Sequence, residues 1–179
     1  MFEAFLLIGL SMPVWSDFKT DPPSESEAVQ VRVLAEQFAW NVHYAGKDGV
    51  FGRTGPQFIT PENLLGLDPD DPNGNDDFNS INNLHVPVGK PVLVKLTSKD
   101  VIHRFKVPVI RLTQDAIPGQ EIPFWFNTTR TGSFDIACAQ LCGLGHFRMR
   151  GQIHIQTQAD FEAWLAEQVV EESDDEVSF

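Results

Sequence analysis

The segment Cys138-Ala-Gln-Leu-Cys142-Gly-Leu-Gly-His146-Phe-Arg-Met149 brings two cysteines, a histidine and a methionine together near the C-terminus. The chain has only 2 cysteines, both of them here, and Met149 is one of its 3 methionines. Thiolate, imidazole and thioether are soft donors that favour copper over magnesium or calcium, and a weak methionine beside cysteine and histidine is typical of electron-transfer copper. The segment is therefore predicted to be a redox metal loop, called the ligand loop below.

The second cysteine of the ligand loop bears on the number of metal ions. A mononuclear blue-copper site uses one thiolate, a weak methionine and two histidines, one of which comes from a distant strand. Cys142 adds a thiolate beyond that set, and two cysteines four residues apart can direct both sulfurs to bridge two copper ions. His146 can serve one copper and Met149 supplies a thioether, so the second imidazole must come from elsewhere in the chain.

His103 is the best candidate for that imidazole. It follows the alternating run Val92-Leu-Val-Lys-Leu96, so we expect it at a strand end or in the loop that follows, where scaffolds commonly place ligands. The other three histidines are expected on the surface without metal, His154 because alternation directs it away from Ile153 and Ile155. These three are His43, His85 and His154.

Residues 29–165 resemble the extramembrane domain of subunit II of cytochrome c oxidase, which carries the binuclear copper A centre. The resemblance rests on Asp100-Val-Ile-His103, Val107-Pro108, Asp115-Ala-Ile-Pro-Gly119 and the spacing Cys138-x3-Cys142-Gly-x2-His146-x2-Met149. It implies that two copper ions are bound by His103, Cys138, the backbone carbonyl of Gln140, Cys142, His146 and Met149. Quinol-oxidising relatives resemble this subunit but have lost the copper ligands, whereas all five ligand side chains are present here.

The resemblance also implies the function. Such a subunit accepts electrons one at a time from a c-type cytochrome and passes them to the haem of subunit I, where oxygen is reduced to water. The protein is then expected to be a membrane-associated part of a respiratory oxidoreductase and proton translocase, in contact with subunit I and other oxidase subunits. Its copper domain is expected on the outer, periplasmic face of the cell membrane.

Two positions depart from the family pattern. Gln140 stands where the family usually has a glutamate that also helps to bind magnesium, and because an amide is a poorer magnesium ligand than a carboxylate, we do not expect that site. The segment Glu36-Gln-Phe-Ala-Trp40 resembles the family's Gln-Trp-x-Trp segment, whose first tryptophan lies at the electron entry surface. That position is Phe38 here, so electron entry through Phe38, Trp40 or neither stays open.

Composition and patterning favour a mainly β fold. A chain of 179 residues can bury a sizeable core, and 12 prolines and 13 glycines separate β-branched runs. Expected strands cover residues 29–33, 38–44, 92–96, 122–127, 133–137 and 151–156. They suggest a Greek-key, cupredoxin-like barrel or sandwich whose ligand loop joins the last two strands.

Three segments surround or interrupt the expected domain at 28–168. Residues 1–18 form an apolar stub that resembles the end of a transmembrane helix but is too short to cross a bilayer, which needs about 20 residues. Residues 46–83 are expected to be a solvated acidic loop without metal, because Pro72 disrupts the calcium-loop spacing. Thr157-x-x-Asp160 predicts the start of a helix that packs Phe161 and Trp164 on the barrel, and residues 169–179 are expected to be a frayed acidic tail.

Net charge and the remaining alternatives complete the sequence-based hypotheses. A formal charge of −12 disfavours nucleic acid and favours cationic partners, such as a cytochrome steered by charge. The copper A domain of a nitrous-oxide reductase shares the ligand set, although the apolar stub and Asp115–Gly119 favour the oxidase. An exported binding module with a Cys138–Cys142 disulfide would leave His103, His146 and Met149 unexplained, and a zinc site would leave Met149 without a purpose.

Overall fold

A computed structural model describes residues 1–175, without the side chains of Phe18, Lys19 and the residues from 169 onward. The chain opens with helix α1 (Phe2–Phe5), a π-helical segment (Leu6–Ser11) and helix α2 (Met12–Thr20). Ten strands follow, and helix α3 (Gln158–Asp175) closes the described part. The strands are β1 (Val29–Glu36), β2 (Ala39–Tyr44), β3 (Phe78–Ile81), β4 (Asn83–Pro87), β5 (Pro91–Ser98), β6 (His103–Val107), β7 (Leu112–Ala116), β8 (Ile122–Asn127), β9 (Gly132–Cys138) and β10 (Arg150–Gln156).

The strands form two five-stranded sheets, so the mainly β prediction is confirmed. The first sheet has the order β3-β2-β1-β5-β8 and the second the order β4-β10-β9-β6-β7. Alternation explains the core between them: β1 buries Val31, Val33 and Ala35, and β5 buries Val92, Val94 and Leu96. The ligand loop joins β9 to β10, the last two strands, as predicted.

Four strands were missed by the sequence analysis. Strand β6 was taken as a strand end or loop around His103, whereas His103 is its first residue. Strand β3 lies inside the segment expected to be a solvated loop, because Phe78 is buried and the strand pairs with β2. Strands β4 and β7 complete the second sheet beside β10 and β6.

The acidic insert after β2 is more ordered than predicted. Thr54 and Leu67 form an isolated bridge, and Asp71 accepts hydrogen bonds from the backbone N–H groups of Arg53 and Asn73. Asp71 and Asp77 are both buried. The expectation of a solvated loop was therefore wrong at Asp71 and Asp77, because backbone N–H groups and basic side chains pair with these buried carboxylates.

Helix α3 begins as predicted. The Asp160 backbone N–H donates to Thr157 Oγ1 at 3.2 Å, and Thr157 Oγ1 also lies 2.6 Å from Asp160 Oδ2. Phe161 is buried, and Trp164 packs on Tyr44 and Phe78. The helix continues to Asp175 through part of the segment expected to be an acidic tail, and residues 176–179 lie outside the described residues.

The N-terminal helical segment exposes apolar side chains between residues 1 and 15, among them Phe2, Ile8 and Trp15. Within the described residues, none of the helices has the length and apolar character needed to cross a membrane. The predicted short hydrophobic helix is confirmed as a helix.

Candidate metal centre

The pairing of β6 with β9 brings His103 to the cysteines. Phe105 lies opposite Cys138 in this antiparallel pair, and His103 is two residues from Phe105 on the same strand. Because side chains two residues apart on a strand share a face, His103, Phe105 and Val107 all point into the core, each fully buried. The His103 ring thus reaches the end of β9, where Nδ1 lies 4.0 Å from Cys138 Sγ.

The ligand loop folds its remaining donors around the same point. The two cysteine sulfurs are 3.7 Å apart, and Cys142 Sγ lies 3.6 Å from His146 Nδ1. Met149 Sδ is 3.8 Å from Cys142 Sγ and 3.2 Å from His103 Nδ1. The Cys138 thiol donates to the Gln140 carbonyl at 3.1 Å, so that this oxygen also faces the cluster.

The structure therefore brings together every donor that the sequence analysis selected. Within residues 1–175, His103, Cys138 and Cys142 are the one group of three or more histidine, cysteine or acidic residues whose ligand atoms converge. All three are buried, as is Met149, and both cysteines are free thiols. Together with the half-buried His146, the set of two sulfurs, two imidazoles and a thioether matches the preferences of copper rather than those of magnesium or calcium.

Burial of the Cys142 thiol bears on how the site takes up metal. Desolvation, followed by the hydrogen bond and charge of Cys138, raises the pKa of the Cys142 thiol to about 11. A thiol binds metal only as thiolate, so metal uptake at neutral pH must displace protons from this site. The sulfurs are held in place for a cation of high thiolate affinity, and Cys142 is protonated at neutral pH without one.

Asp100 fixes the orientation of the His103 ring. The His103 Nε2–H donates to Asp100 Oδ1 at 2.8 Å, which leaves the Nδ1 lone pair directed at the sulfurs. Burial alone would raise the pKa of Asp100, but hydrogen bonds from His103 and from the backbone N–H groups of Val101 and Gln37 lower it overall. The carboxylate is therefore charged at neutral pH and holds one tautomer of the imidazole.

Gln37 forms hydrogen bonds both to Asp100, which supports His103, and to the ligand loop. Its backbone N–H donates to Asp100 Oδ2 at 2.7 Å, and its side-chain Nε2–H donates to the Cys142 carbonyl at 2.6 Å. One residue in the β1–β2 turn thus contacts both the support of His103 and the ligand loop. The sequence analysis gave neither Gln37 nor Asp100 a role, although Asp100 stands three residues before His103, a signal that could have identified it.

The two aromatic residues proposed for electron entry lie on either side of this centre. The Phe38 ring covers the ligand loop so closely that a Cβ at Gly145 would lie 2.4 Å from it, which excludes any larger residue there without movement. Trp40 is fully buried, with its ring edge toward His103 at a centroid separation of 6.2 Å. Phe38 is half-buried, so it reaches the surface and Trp40 does not.

The other three histidines lie outside the centre, but their expected surface placement was wrong in one case. His43 is buried and lies 2.6 Å from Asp77 Oδ2, because the insert folds back over β2. His85 and His154 are half-buried on β4 and β10, with stacked rings 4.4 Å apart. His154 does face away from the buried Ile153 and Ile155, as alternation predicted.

Comparison with known proteins agrees with the resemblance to subunit II of cytochrome c oxidase. The family model described as cytochrome c oxidase subunit II, periplasmic domain, matches residues 29–157. The chain is 41% identical over 163 residues to an alternative cytochrome c oxidase subunit 2 of Bradyrhizobium diazoefficiens, covering 90% of this chain and 58% of that protein. It is 50% identical over 82 residues to a cytochrome c oxidase subunit 2 of Thermostichus vulcanus, covering 45% of this chain and 24% of that protein.

The fold has a counterpart of known structure. The crystal structure of the periplasmic domain of subunit II of cytochrome oxidase from Bradyrhizobium japonicum superposes with a TM-score of 0.59 and 28% identity, covering 82% of this chain and 95% of that one. The chain thus spans little more than half of one full-length relative and a quarter of another, and nearly all of a periplasmic domain.

Proposed function

Because the chain belongs to the family of cytochrome c oxidase subunit II, we propose that it is the electron-input domain of a haem-copper oxidase, with a binuclear copper centre on the extracytoplasmic side of the membrane. The observation that carries the proposal is the convergence of two cysteine sulfurs, 3.7 Å apart, with His103, His146 and Met149. The family match favours the oxidase over a nitrous-oxide reductase.

The donor positions divide into two groups. His103 Nδ1 and Met149 Sδ are 3.2 Å apart and would serve one copper ion. His146 and the Gln140 carbonyl would serve the other, and both cysteine sulfurs would be shared. When bound, the two copper ions would supply one-electron redox chemistry with the charge shared between them.

The protein's own contribution is to hold these donors in one arrangement. Asp100 keeps His103 Nδ1 free, and Gln37 holds the ligand loop through the Cys142 carbonyl. Met149, Trp40 and Phe105 are fully buried around the site and exclude water from it. Ligands that cannot move keep the same geometry in both oxidation states, which lowers the barrier to electron transfer.

The surface over the ligand loop is suited to a transient partner. Leu141, Leu144 and Phe147 are exposed by 78%, 97% and 77%, although large apolar side chains are usually buried. Together with Phe38 they form an apolar patch above the sulfurs, and we propose that the electron donor, a c-type cytochrome, makes contact there. The loop contains no carboxylate and carries Arg148, so the acidic charge that would steer a cationic donor lies elsewhere on the domain.

The proposed passage onward involves other subunits. Subunit I of the oxidase would receive the electron at its haem, where oxygen is reduced and protons are translocated. The apolar helical segment at Phe2–Thr20, whose side chains from Phe2 to Trp15 are exposed, would associate with the membrane or with helices of such partners.

Stopped-flow reduction tests this function. The copper-loaded chain is mixed with a reduced c-type cytochrome, and oxidation of the cytochrome is followed by absorbance. Phe147→Ala should lower the second-order rate constant about tenfold, because it removes a central apolar contact, whereas Val50→Ala, in the insert, should leave it unchanged. A copper-loaded chain that does not oxidise the cytochrome at all would contradict the proposed function even if its metal centre is intact.

A further inference from the structure

A cavity separate from the metal centre lies on the outer face of the first sheet, beneath the insert. It has a volume of about 330 Å³ and is walled by strands β1 and β5 on one side and by insert residues 54–65 on the other. Most of its wall is apolar, including Leu34, Pro56, Ile59 and Leu65. A cavity of this size with an apolar lining and a few polar groups is the usual form of a small-molecule site.

The polar part of this wall is cationic. Arg32, Lys95 and Lys99 line the cavity with one carboxylate, Glu121, in a chain whose formal charge is −12. Lys99 is paired with Glu36 at 2.8 Å, and Lys95 lies 3.9 Å from Glu121. Two of the three cations are therefore already balanced.

Arg32 is the cation without a balancing charge. In the part of the chain that the structure describes, no carboxylate lies within ion-pair distance of its guanidinium, which donates one hydrogen bond to the Gly52 carbonyl and stacks on Phe51 at 4.3 Å. Its Nε–H is buried and has no partner. Withdrawing a guanidinium from water without a counter-charge is costly, so this arrangement favours an anion that binds there.

A second cavity shares Arg32 and Lys95 with the first. It measures about 190 Å³, is lined by Val31, Leu93 and Pro123, and begins at Pro22 and Pro23. These prolines follow the apolar helical segment that ends at Thr20. Arg32 and Lys95 line both cavities, so an anionic group between them would have apolar space on either side.

We propose that these adjacent cavities bind an anionic amphiphile, with its carboxylate or phosphate head on Arg32 and its hydrocarbon chain against Ile59 and Leu65 or toward Pro22. The planar guanidinium offers parallel N–H donors that suit both head groups. The site is independent of the copper centre, since neither Arg32 nor Lys95 contacts a proposed ligand.

The test is calorimetric titration of the full chain with decanoate and with decyl phosphate, below their aggregation concentrations. Both should bind saturably at one per chain, and acetate and inorganic phosphate at least tenfold more weakly. Arg32→Gln should weaken decanoate binding at least tenfold. Arg32→Lys keeps the charge but loses the planar pair of donors, so it should recover only part of the affinity. Arg130→Gln, which removes an exposed arginine, should leave binding unchanged. Thr97→Trp, which fills the cavity and leaves the charges in place, should also abolish binding.

Undiminished binding by Arg32→Gln, equal binding of acetate and decanoate, or absence of decanoate binding would each overturn the proposal. Copper uptake by every variant, measured in parallel, reports that the domain has folded. Vesicles that contain phosphatidate, compared with pure phosphatidylcholine, distinguish the sources of the ligand: displacement of bound decanoate supports a membrane lipid, and its retention supports a soluble amphiphile.

Discussion

The second sheet and its loops carry two pairs of histidines that the fold uses in opposite ways. His103 and His146 turn a ring nitrogen toward the cysteine sulfurs, at 4.0 and 3.6 Å. His85 and His154 instead stack their faces, and Trp164 covers His85 with a centroid separation of 3.9 Å and an interplanar angle of 4°. The residue type is the same, and the neighbouring side chains decide whether a histidine can bind metal or serves as packing.

The largest expected effect is at the candidate metal centre, which contains His103 and His146. Cys142→Ser replaces a shared sulfur with a hydroxyl, a poor ligand for copper, so the copper content should fall from two ions per chain to one or none. The free energy of unfolding of the metal-free chain should change far less, and chemical denaturation measures it. A serine variant that still binds two copper ions would show that Cys142 is not a bridging ligand.

In the stack of His85, His154 and Trp164, the substitution Trp164→Ala should destabilise the folded domain and leave the copper content unchanged. The indole contacts Tyr44, Phe78 and His85, and its removal should lower the free energy of unfolding by about 2 to 3 kcal/mol, somewhat less than for a fully buried tryptophan. Trp164→Phe, the matched control, should retain most of the stability. A loss of copper in the alanine variant would show that the metal centre depends on the histidine stack.

Asp100→Asn tests whether Asp100 orients the His103 ring at the metal centre. The amide can present its NH₂ group to His103 Nε2 and favour the wrong tautomer, so copper affinity should fall about 10- to 100-fold. Asp135→Asn removes the same charge from an exposed position on β9 and should have no effect. Copper affinity is measured by competition with a copper chelator. Equal affinities of the two variants would show that Asp100 does not orient His103 for copper binding.

The smallest expected effect is the pH dependence of the free energy of unfolding that arises from His85 and His154. Burial lowers the pKa of His85, with a further contribution from the charge of His154, and burial lowers the pKa of His154 as well. A histidine whose pKa is depressed in the folded state contributes full stability above its unfolded pKa of about 6.5, and this contribution is lost as the pH falls below that value.

Denaturation of the metal-free chain at pH 7.5 and pH 5.5 measures this effect. His85→Phe retains a flat ring between Trp164 and His154 and removes one titrating group, so its stability should fall less across this range than that of the unsubstituted chain. An equally steep fall would show that His85 does not contribute to the pH dependence.

The sequence identified the side chains that converge at the candidate metal centre better than the residues that support them. The spacing of Cys138, Cys142, His146 and Met149 is local, so it is visible in one loop. Gln37 acts through hydrogen bonds to residues 100 and 142, and local patterns do not encode such contacts. The pairing of Asp100 with His103 spans only three residues, so its spacing could have indicated it.

The same limit explains the errors in the fold. Alternation identified β1 and β5 because their buried valines recur every second residue. Strand β3, Phe78-Asn-Ser-Ile81, is short and polar, and it becomes a strand only because β2 lies beside it. His43 is buried because Asp77, 34 residues further along, folds over it, and no pattern around His43 indicates this.

The most direct test is copper reconstitution of the full chain, with metal analysis and electron spin resonance on the same sample. Two bridging sulfurs predict two copper ions per chain and a spectrum in which one unpaired electron is split by two equivalent copper nuclei. One copper ion per chain with splitting from a single nucleus would contradict the shared-sulfur centre and favour a mononuclear blue-copper site. A chain that takes up no copper and forms a Cys138–Cys142 disulfide would contradict a metal centre altogether.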